Sequence, residues 1–130
     1  MTFARTLRWG WTRLALRIVT GVQALLVATQ AALAGQFLTG NNAARAFHRE
    51  LGTEVITWMA FVSLLLAVLS WRPGRYQAWP IVLTGLGLAA VILQLGYGFD
   101  GRLDIHIPLG LGIFALYLIV LVGFRRETTN

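Results

Sequence analysis

The sequence predicts an all-α membrane protein, a four-transmembrane-helix up-down-up-down bundle made of two tandem helical hairpins in a single domain. Composition is the first reason: 57% of the 130 residues are hydrophobic and only 12% are charged, whereas roughly a quarter of residues in soluble domains carry charge. The second reason is that the apolar residues form four charge-free runs, comparable with the roughly 20 residues that cross the bilayer hydrocarbon. These runs are Ile18–Ala44, Val55–Trp71, Tyr76–Phe99 and Ile105–Phe124.

The first hairpin is expected over about residues 14–70. Residues 1–13 combine arginine with tryptophan, which is typical of an interfacial segment that leads into a membrane. The first helix is expected over about Leu14–Leu38. A Gly-Asn-Asn turn separates it from the second helix, for which Asn42 is the predicted N-cap and Ser70 the approximate end.

The second hairpin is expected over about residues 79–124. Pro-Gly in the loop Trp71–Arg75 ends the second helix, and Pro80 lies at the beginning of the third. Asp104 is predicted to cap the fourth helix. Pro108 then lies in or near its first turn, where a missing backbone N–H costs least.

Arginine predicts the orientation, because the chain contains no lysine. Eight arginines flank one side of the spans and three flank the other, and the arginine-rich side of a membrane protein faces the cytoplasm. We therefore expect both termini in the cytoplasm and the bacterial inner (plasma) membrane as the location. The net charge of +6 reflects the same asymmetry, so no nucleic-acid partner is expected. The eight are Arg5, Arg8, Arg13, Arg17, Arg72, Arg75, Arg125 and Arg126, and the three are Arg45, Arg49 and Arg102.

The sequence contains no autonomous catalytic constellation. Cysteine is absent, which excludes disulfides, thiolate metal sites and cysteine nucleophiles. No phosphate-binding loop, Ser-His-Asp set or pair of inward carboxylates is present. The sequence leaves open whether the protein is an enzyme, and we expect at most a redox subunit.

The only two histidines of the chain occur in the same pattern, His-x-x-Leu-Gly. Glutamine and histidine are rare in this sequence, so their coincidence at a fixed offset of 58 residues predicts an internal repeat. Its two hairpins would be related by a pseudo-twofold axis along the membrane normal. The aligned pairs are Gln36 and Gln94, Gly40 and Gly98, His48 and His106, Leu51 and Leu109, and Gly52 and Gly110.

This repeat predicts a haem site. A pseudo-twofold axis brings His48 and His106 face to face near one end of the second and fourth helices. Two imidazoles on opposite sides suit the axial positions of one iron, so both histidines are predicted metal ligands of a b-type haem. Gly52 and Gly110, one turn after each histidine, would leave room for a flat macrocycle.

Other residues complete the predicted site. Arg49, together with Arg45 and Arg102, is expected to pair with haem propionates. Gln36 and Gln94 would orient the imidazoles or the propionates, although glutamines in membrane helices more commonly bridge neighbouring helices. The apolar walls are expected from Val55, Met59, Ile113, Phe114 and Tyr117.

Simpler roles stay open for the polar residues. A histidine near a helix end is often hydrated or bonded to a neighbouring loop. Gln23 and Gln30, seven residues apart in the first helix, are expected to bridge helices rather than to form a site. Glu54 would be proton-active only if it pointed inward, and its position early in the second helix favours a solvated carboxylate.

Two stretches resemble one four-helix half of the haem A synthase family, which has eight helices. They are "AFHRELG", with His48, and "ILQLGYGFDGRLDIHIPLGLGIFALYL", with His106. The resemblance covers about residues 36–52 and 94–117, and it implies that the two histidines are axial haem ligands. Arg45 stands where the catalytic half of that family has a glutamate, and the family's loop cysteine pair is missing. These departures favour haem binding or electron transfer over oxidation of a haem methyl group. The chain also resembles small four-helix bacterial membrane proteins, a likeness that implies no function.

Three functions follow as hypotheses. The leading one is a small membrane protein that binds b-type haem through His48 and His106 and serves as an electron-transfer or haem-handling subunit, with a membrane-protein partner or as a homo-oligomer. The second is a cofactor-free structural subunit of a larger membrane complex. The third is a quinone-contacting protein that uses histidine and glutamine as hydrogen-bonding groups.

Overall fold

The structure, a computed structural model, describes residues 3–71 and 77–126, with side chains for 10–71 and 77–123. Residues 72–75 of the predicted loop lie outside this part. All regular secondary structure in the described residues is helical and no strand occurs there, as the composition predicts. The helices are α1 (Phe3–Leu38), α2 (Asn42–Ser70), α3 (Trp79–Phe99) and α4 (Leu103–Arg126).

Each helix is long and apolar enough to cross a membrane. The spans contain 29, 29, 21 and 21 residues, against the roughly 20 that are needed. The outer surface of the bundle is apolar, because Leu25, Trp58 and Leu111 are 67%, 65% and 68% exposed. Large apolar side chains exposed on every side match lipid rather than water. The chain is therefore a multi-pass membrane protein. Its spans are Gly10–Leu38, Asn42–Ser70, Trp79–Phe99 and Leu103–Gly123.

The helices occupy the four corners of a bundle. Within the described residues, α1 packs against α2 and α4, and α3 packs against the same two helices, whereas no Cα atoms of α1 and α3, or of α2 and α4, lie within 8 Å of each other. Helices α2 and α4 are therefore diagonal to each other. The buried centre contains Ala24, Ala60, Ile113 and Tyr117. A second cluster is formed by Leu16, Ala67 and Val120.

Helix α2 changes its winding along its length. It is α-helical over Asn42–Glu50 and Thr57–Ser70, but π-helical over Leu51–Ile56. We call Leu51–Ile56 the π-turn. A π-turn places one more residue in a helical turn than an α-helix does, and such turns are common at functional sites.

The turn between α1 and α2 depends on a glycine and an asparagine. Gly40 has φ of 100°, a left-handed conformation that side chains disfavour. Asn41 is the N-cap, since its side-chain oxygen accepts a hydrogen bond of 3.0 Å from the Ala44 amide. The predicted cap, Asn42, is wrong by one residue because Asn42 is already the first helical residue of α2.

Other predicted boundaries differ in smaller ways. Helix α1 begins at Phe3, so the predicted interfacial segment is continuous with it from that residue. Pro80 lies in the first turn of α3, as predicted. Helix α4 begins at Leu103, so Asp104 lies inside its first turn, where a negative charge suits the helix dipole. Pro108 lies within α4.

The two hairpins repeat the same local contacts. The Thr20 hydroxyl donates a hydrogen bond of 2.8 Å to the Leu16 carbonyl in α1. The Thr84 hydroxyl donates one of 2.7 Å to the Pro80 carbonyl in α3, and both hydroxyl-bearing side chains are fully buried. Equivalent positions of α1 and α3 are thus 64 residues apart, not the 58 that align the histidines.

Candidate functional site

The two histidines face each other across the bundle. His48 lies on α2 and His106 on α4, the diagonal pair of helices, and both side chains are partly buried. Their ring centroids are 6.2 Å apart and their planes are inclined by 54°. Phe37 lies beside the His48 ring in an edge contact, with 5.2 Å between ring centroids. The structure therefore brings together the two residues on which the sequence prediction depends.

A backbone carbonyl holds each imidazole by the same atom. Nδ1 of His48 lies 3.1 Å from the Gln30 carbonyl oxygen, and Nδ1 of His106 lies 2.9 Å from the Gln94 carbonyl oxygen. A carbonyl accepts hydrogen bonds but cannot donate them, so each Nδ1 must carry the proton. In the neutral form of each ring, the lone pair is then on Nε2. This tautomer is the one that second-shell carbonyls fix in metal-binding histidines.

The ring separation matches two ligands of one metal ion. A metal–imidazole bond is about 2 Å long and the ring centroid lies about 1 Å behind the nitrogen, so coaxial ligation places the centroids about 6 Å apart. Among the described residues, no group of three or more His, Cys, Asp or Glu side chains is close enough to hold a metal. A pair of imidazoles without further protein ligands suits a metal whose remaining ligands are its own, as in haem.

Glutamine amides lie against the two glycines of the repeat. A Cβ added at Gly52 would lie 2.8 Å from Nε2 of Gln30, and one added at Gly110 would lie 3.0 Å from Nε2 of Gln94. The sequence analysis predicted that these glycines leave room for a macrocycle. In the structure, they leave room for the side-chain amides of α1 and α3.

Gln30, rather than Gln36, is the structural counterpart of Gln94. Gln36 is exposed near the end of α1, where its carbonyl accepts hydrogen bonds from the amides of Thr39 and Asn41. A single offset of 58 residues misaligned the first helices, because α1 and α2 extend further past Gln30 and His48 than α3 and α4 extend past their counterparts. In the sequence, a second offset of 64 residues pairs Gln30 with Gln94 and would have identified this counterpart.

The glutamines of α1 bind the backbone at both ends of the π-turn. Nε2 of Gln30 donates a hydrogen bond of 2.9 Å to the His48 carbonyl, just before the π-turn. Nε2 of Gln23, which is fully buried, donates one of 2.9 Å to the carbonyl of Ile56, the last residue of the π-turn. Both glutamines bridge helices, as expected. The sequence analysis missed that Gln30 also contacts the site.

Four buried polar atoms have no hydrogen-bond partner in the described part of the chain. They belong to three glutamines that bridge helices or hold the histidines, and to one tyrosine of α4. Unpaired buried acceptors are unusual, because each costs roughly 1–3 kcal/mol. Two of them lie on the same glutamines that hold the histidines, so this layer of the bundle receives a polar group from each helix. The atoms are Oε1 of Gln23, Gln30 and Gln94 and the hydroxyl oxygen of Tyr117.

The arginines at the histidine end of the bundle differ in their partners. The Arg49 guanidinium lies over the Phe99 ring, 5.3 Å from its centroid. Arg102 forms two hydrogen bonds with the Asp104 carboxylate, of 3.0 and 2.9 Å, and this pairing raises the pKa of Arg102 above its usual value. Arg45 is exposed and forms no ion pair with the side chains of residues 10–71 and 77–123. Among these side chains, Arg49 and Arg45 are therefore the arginines of the histidine end that have no acidic partner.

The predicted apolar walls divide into two groups. Ile113 and Tyr117 are buried in the centre of the bundle, at 3% and 0% exposure. Met59 and Phe114 are partly buried, and Val55 in the π-turn is exposed.

Comparison of the chain with family models, with curated proteins and with solved structures finds no match. The geometry of the histidine pair therefore carries the functional argument.

Proposed function

We propose that the protein binds one b-type haem in the membrane, with His48 and His106 as axial ligands, and serves as an electron-transfer or haem-handling subunit. The single observation that carries this proposal is the facing pair of imidazoles, 6.2 Å apart, each held at Nδ1 by a main-chain carbonyl. That arrangement offers two neutral nitrogen ligands from opposite sides.

The residues around the pair have distinct tasks. The carbonyls of Gln30 and Gln94 hold the Nδ1 protons, which keeps the Nε2 lone pairs free for the metal. Arg49 and Arg45 supply positive charge near the same end and suit the propionates. A bound haem supplies one-electron exchange between ferric and ferrous iron. The chain contributes the ligands, the charge and an apolar surrounding.

We also propose the finer topology, an up-down-up-down bundle in the inner membrane with both termini in the cytoplasm. The arginine distribution and the short connections 39–41 and 100–102 support it. Because the natural chain contains no cysteine, single cysteines at Asn41 and Gly101 test it directly. Both should react with a membrane-impermeant maleimide added from the periplasmic side, and protection of either position would contradict the topology.

The haem proposal is tested by an absorption spectrum. The chain is produced in cells supplied with a haem precursor, purified in detergent, oxidised, and then reduced with dithionite. We expect a Soret band and sharp α and β bands on reduction, and no such bands after His48→Ala or His106→Ala. Gln36→Ala is the matched control, because that side chain is exposed and the two histidines are bonded to Gln30 and Gln94 instead.

A cofactor-free structural subunit is the second candidate. The observation that favours it is the contact of the Gln30 and Gln94 amides with Gly52 and Gly110, which fills the space that the glycines provide. On this alternative, the histidine–carbonyl bonds only join the helices. A colourless protein from haem-replete cells, unaltered when haem is added after purification, would support this second candidate.

A further inference from the structure

Helix α2 contains one residue more than α4 between the histidine and the buried core. His48 and Gly52 correspond to His106 and Gly110, 58 residues later. Beyond the π-turn, the equivalent buried positions are only 57 residues apart. These pairs are Ile56 and Ile113 (5% and 3% exposed), Ala60 and Tyr117 (both 0%), and Ser63 and Val120 (both 0%).

The extra residue lies in the π-turn, Leu51–Ile56. Each residue of a regular α-helix turns the chain by about 100° and advances it by 1.5 Å. Without the extra residue, the first turns of α2 would therefore be rotated by about 100° relative to the core-facing positions Ile56 and Ala60. His48 would then no longer point along the diagonal towards His106.

The π-turn changes the hydrogen bonding of α2, and α1 adds side-chain donors at both ends of it, although the His48 carbonyl also accepts a bond from the Leu51 amide. Gln30 donates to the His48 carbonyl and Gln23 to the Ile56 carbonyl, so one amide binds at each end. The two glutamines are seven residues apart, about two turns of α1. Inside the π-turn, the Thr57 hydroxyl donates to the Gly52 carbonyl over 2.9 Å. The position of α3 that corresponds to Gln23 is Gly87, so this pair of donors belongs to the first hairpin alone.

We propose that the π-turn is the positioning device of the histidine pair: its extra residue aims His48 at His106, and Gln23 and Gln30 are positioning residues that hold it in place. The inference rests on the histidine pair of the proposed function but not on haem itself. On this proposal, Gln23 affects the geometry of the site although it binds α2 at Ile56, about two turns beyond His48.

A pair of engineered cysteines tests, without any cofactor, whether the side chain at position 48 points towards position 106. The chain has no natural cysteine, so His48→Cys/His106→Cys can be linked by a short bifunctional thiol reagent. Leu64→Cys/Gly85→Cys is the control pair, because Leu64 lies against Gly85 on the far side of the π-turn. Both pairs are placed in the full-length chain and in a chain lacking Glu54, an exposed residue whose deletion removes no core side chain.

We expect the 48–106 pair to link in the chain without the deletion and its yield to fall at least about fivefold in the deletion chain, because the direction of the side chain at position 48 changes by about 100°. The 64–85 pair should link equally in both chains, which shows that the bundle is intact. Equal linking of the 48–106 pair in the two chains would overturn the proposal. Deletion of Thr53 is the second form of the test if the first deletion chain does not fold.

The role of the two glutamines is tested by comparing the cost of replacing them in chains with and without the extra residue of α2. Gln23→Leu and Gln30→Leu should each lower the folding equilibrium constant about threefold or more in the full-length chain, since one interhelical hydrogen bond is lost. The deletion chain has no π-turn for the two amides to hold, so the same substitutions should cost much less there. Equal costs in both backgrounds would contradict the assigned role. If neither deletion chain folds, loss of the 48–106 link in Gln23→Leu, with the 64–85 link kept, supports the proposal, and retention of both links overturns it.

Discussion

The two hairpins hold their histidines identically at the ring but differently at the backbone. In each hairpin, Nδ1 is bonded to the carbonyl of a glutamine in the preceding helix. In the first hairpin, the Gln30 side chain additionally binds the His48 carbonyl, and a π-turn follows. In the second, α4 has no π-turn and begins beside the Arg102–Asp104 ion pair. The two hairpins therefore share the bond that holds the imidazole ring, and they differ in the backbone conformation of the helix that carries it.

This comparison indicates which contacts belong to the site and which belong to the bundle. The histidine–carbonyl bonds are duplicated, as are the Thr20 and Thr84 bonds to the preceding turn. Only the first of these duplicated contacts brings polar atoms to a common point. Features present in one hairpin alone, such as Gln23 or the Arg102–Asp104 ion pair, are expected to alter the stability of the bundle or the direction of a histidine side chain without supplying a ligand.

The largest expected effect is the loss of either histidine. If the hairpins contribute equally to one site, His48→Ala and His106→Ala should weaken haem binding alike. We expect at least about a tenfold loss, the scale on which even the outer partners of metal ligands act. Haem titration followed at the Soret band measures it. A large effect of one substitution beside a negligible effect of the other would show that the two hairpins are unequal at the ring as well.

The next largest difference is expected between the stability losses caused by alanine at Gly52 and at Gly110. Gly52→Ala places a methyl group 2.8 Å from an amide that is pinned to the His48 carbonyl, and we expect a loss of about 1–2 kcal/mol in the free energy of unfolding. Gly110→Ala meets the Gln94 amide at 3.0 Å and should cost less. Thermal unfolding in detergent compares the two variants. A larger loss for Gly110→Ala would contradict the expectation that the Gln30 amide beside Gly52 is the more rigidly held of the two.

A smaller effect is expected where a buried hydroxyl has no hydrogen bond. Tyr117 is fully buried, and its hydroxyl forms no hydrogen bond of standard geometry in the described part of the chain, although the Gln23 side chain lies close enough to act as a weak hydrogen-bond partner. Tyr117→Phe should therefore be neutral or stabilising by up to about 1 kcal/mol. By contrast, Gln23→Leu in the first hairpin should destabilise, because it removes the bond to the Ile56 carbonyl. Destabilisation by Tyr117→Phe would show that the hydroxyl is hydrogen-bonded.

The smallest effect is expected at the ion pair of the second hairpin. Arg102 and Asp104 are both exposed, so solvent screens their attraction. Asp104→Asn should leave the unfolding transition in detergent unchanged. A clear loss of stability would mean that this contact serves as the second hairpin's counterpart of the Gln30 bond.

Most of the fold could be predicted because membrane helices satisfy simple constraints. Length and lack of charge predicted the four helices, and Pro80 indicated where α3 begins. The facing histidines followed from the repeat of a rare residue pattern. The π-turn could not be predicted, since a one-residue excess is visible only when the buried positions of α2 and α4 are compared. The longer ends of the first two helices, which lie between Gln30 and His48, led the single offset to Gln36 instead of Gln30.

The central claim is that both imidazoles bind the two faces of one iron. Titration of the purified protein with haem, followed by absorption and electron paramagnetic resonance, tests it most directly. We expect saturation at one haem per chain with a low-spin, six-coordinate iron, and loss of that signal when either histidine is replaced. A high-spin, five-coordinate iron, or no spectral change on adding haem, would contradict it.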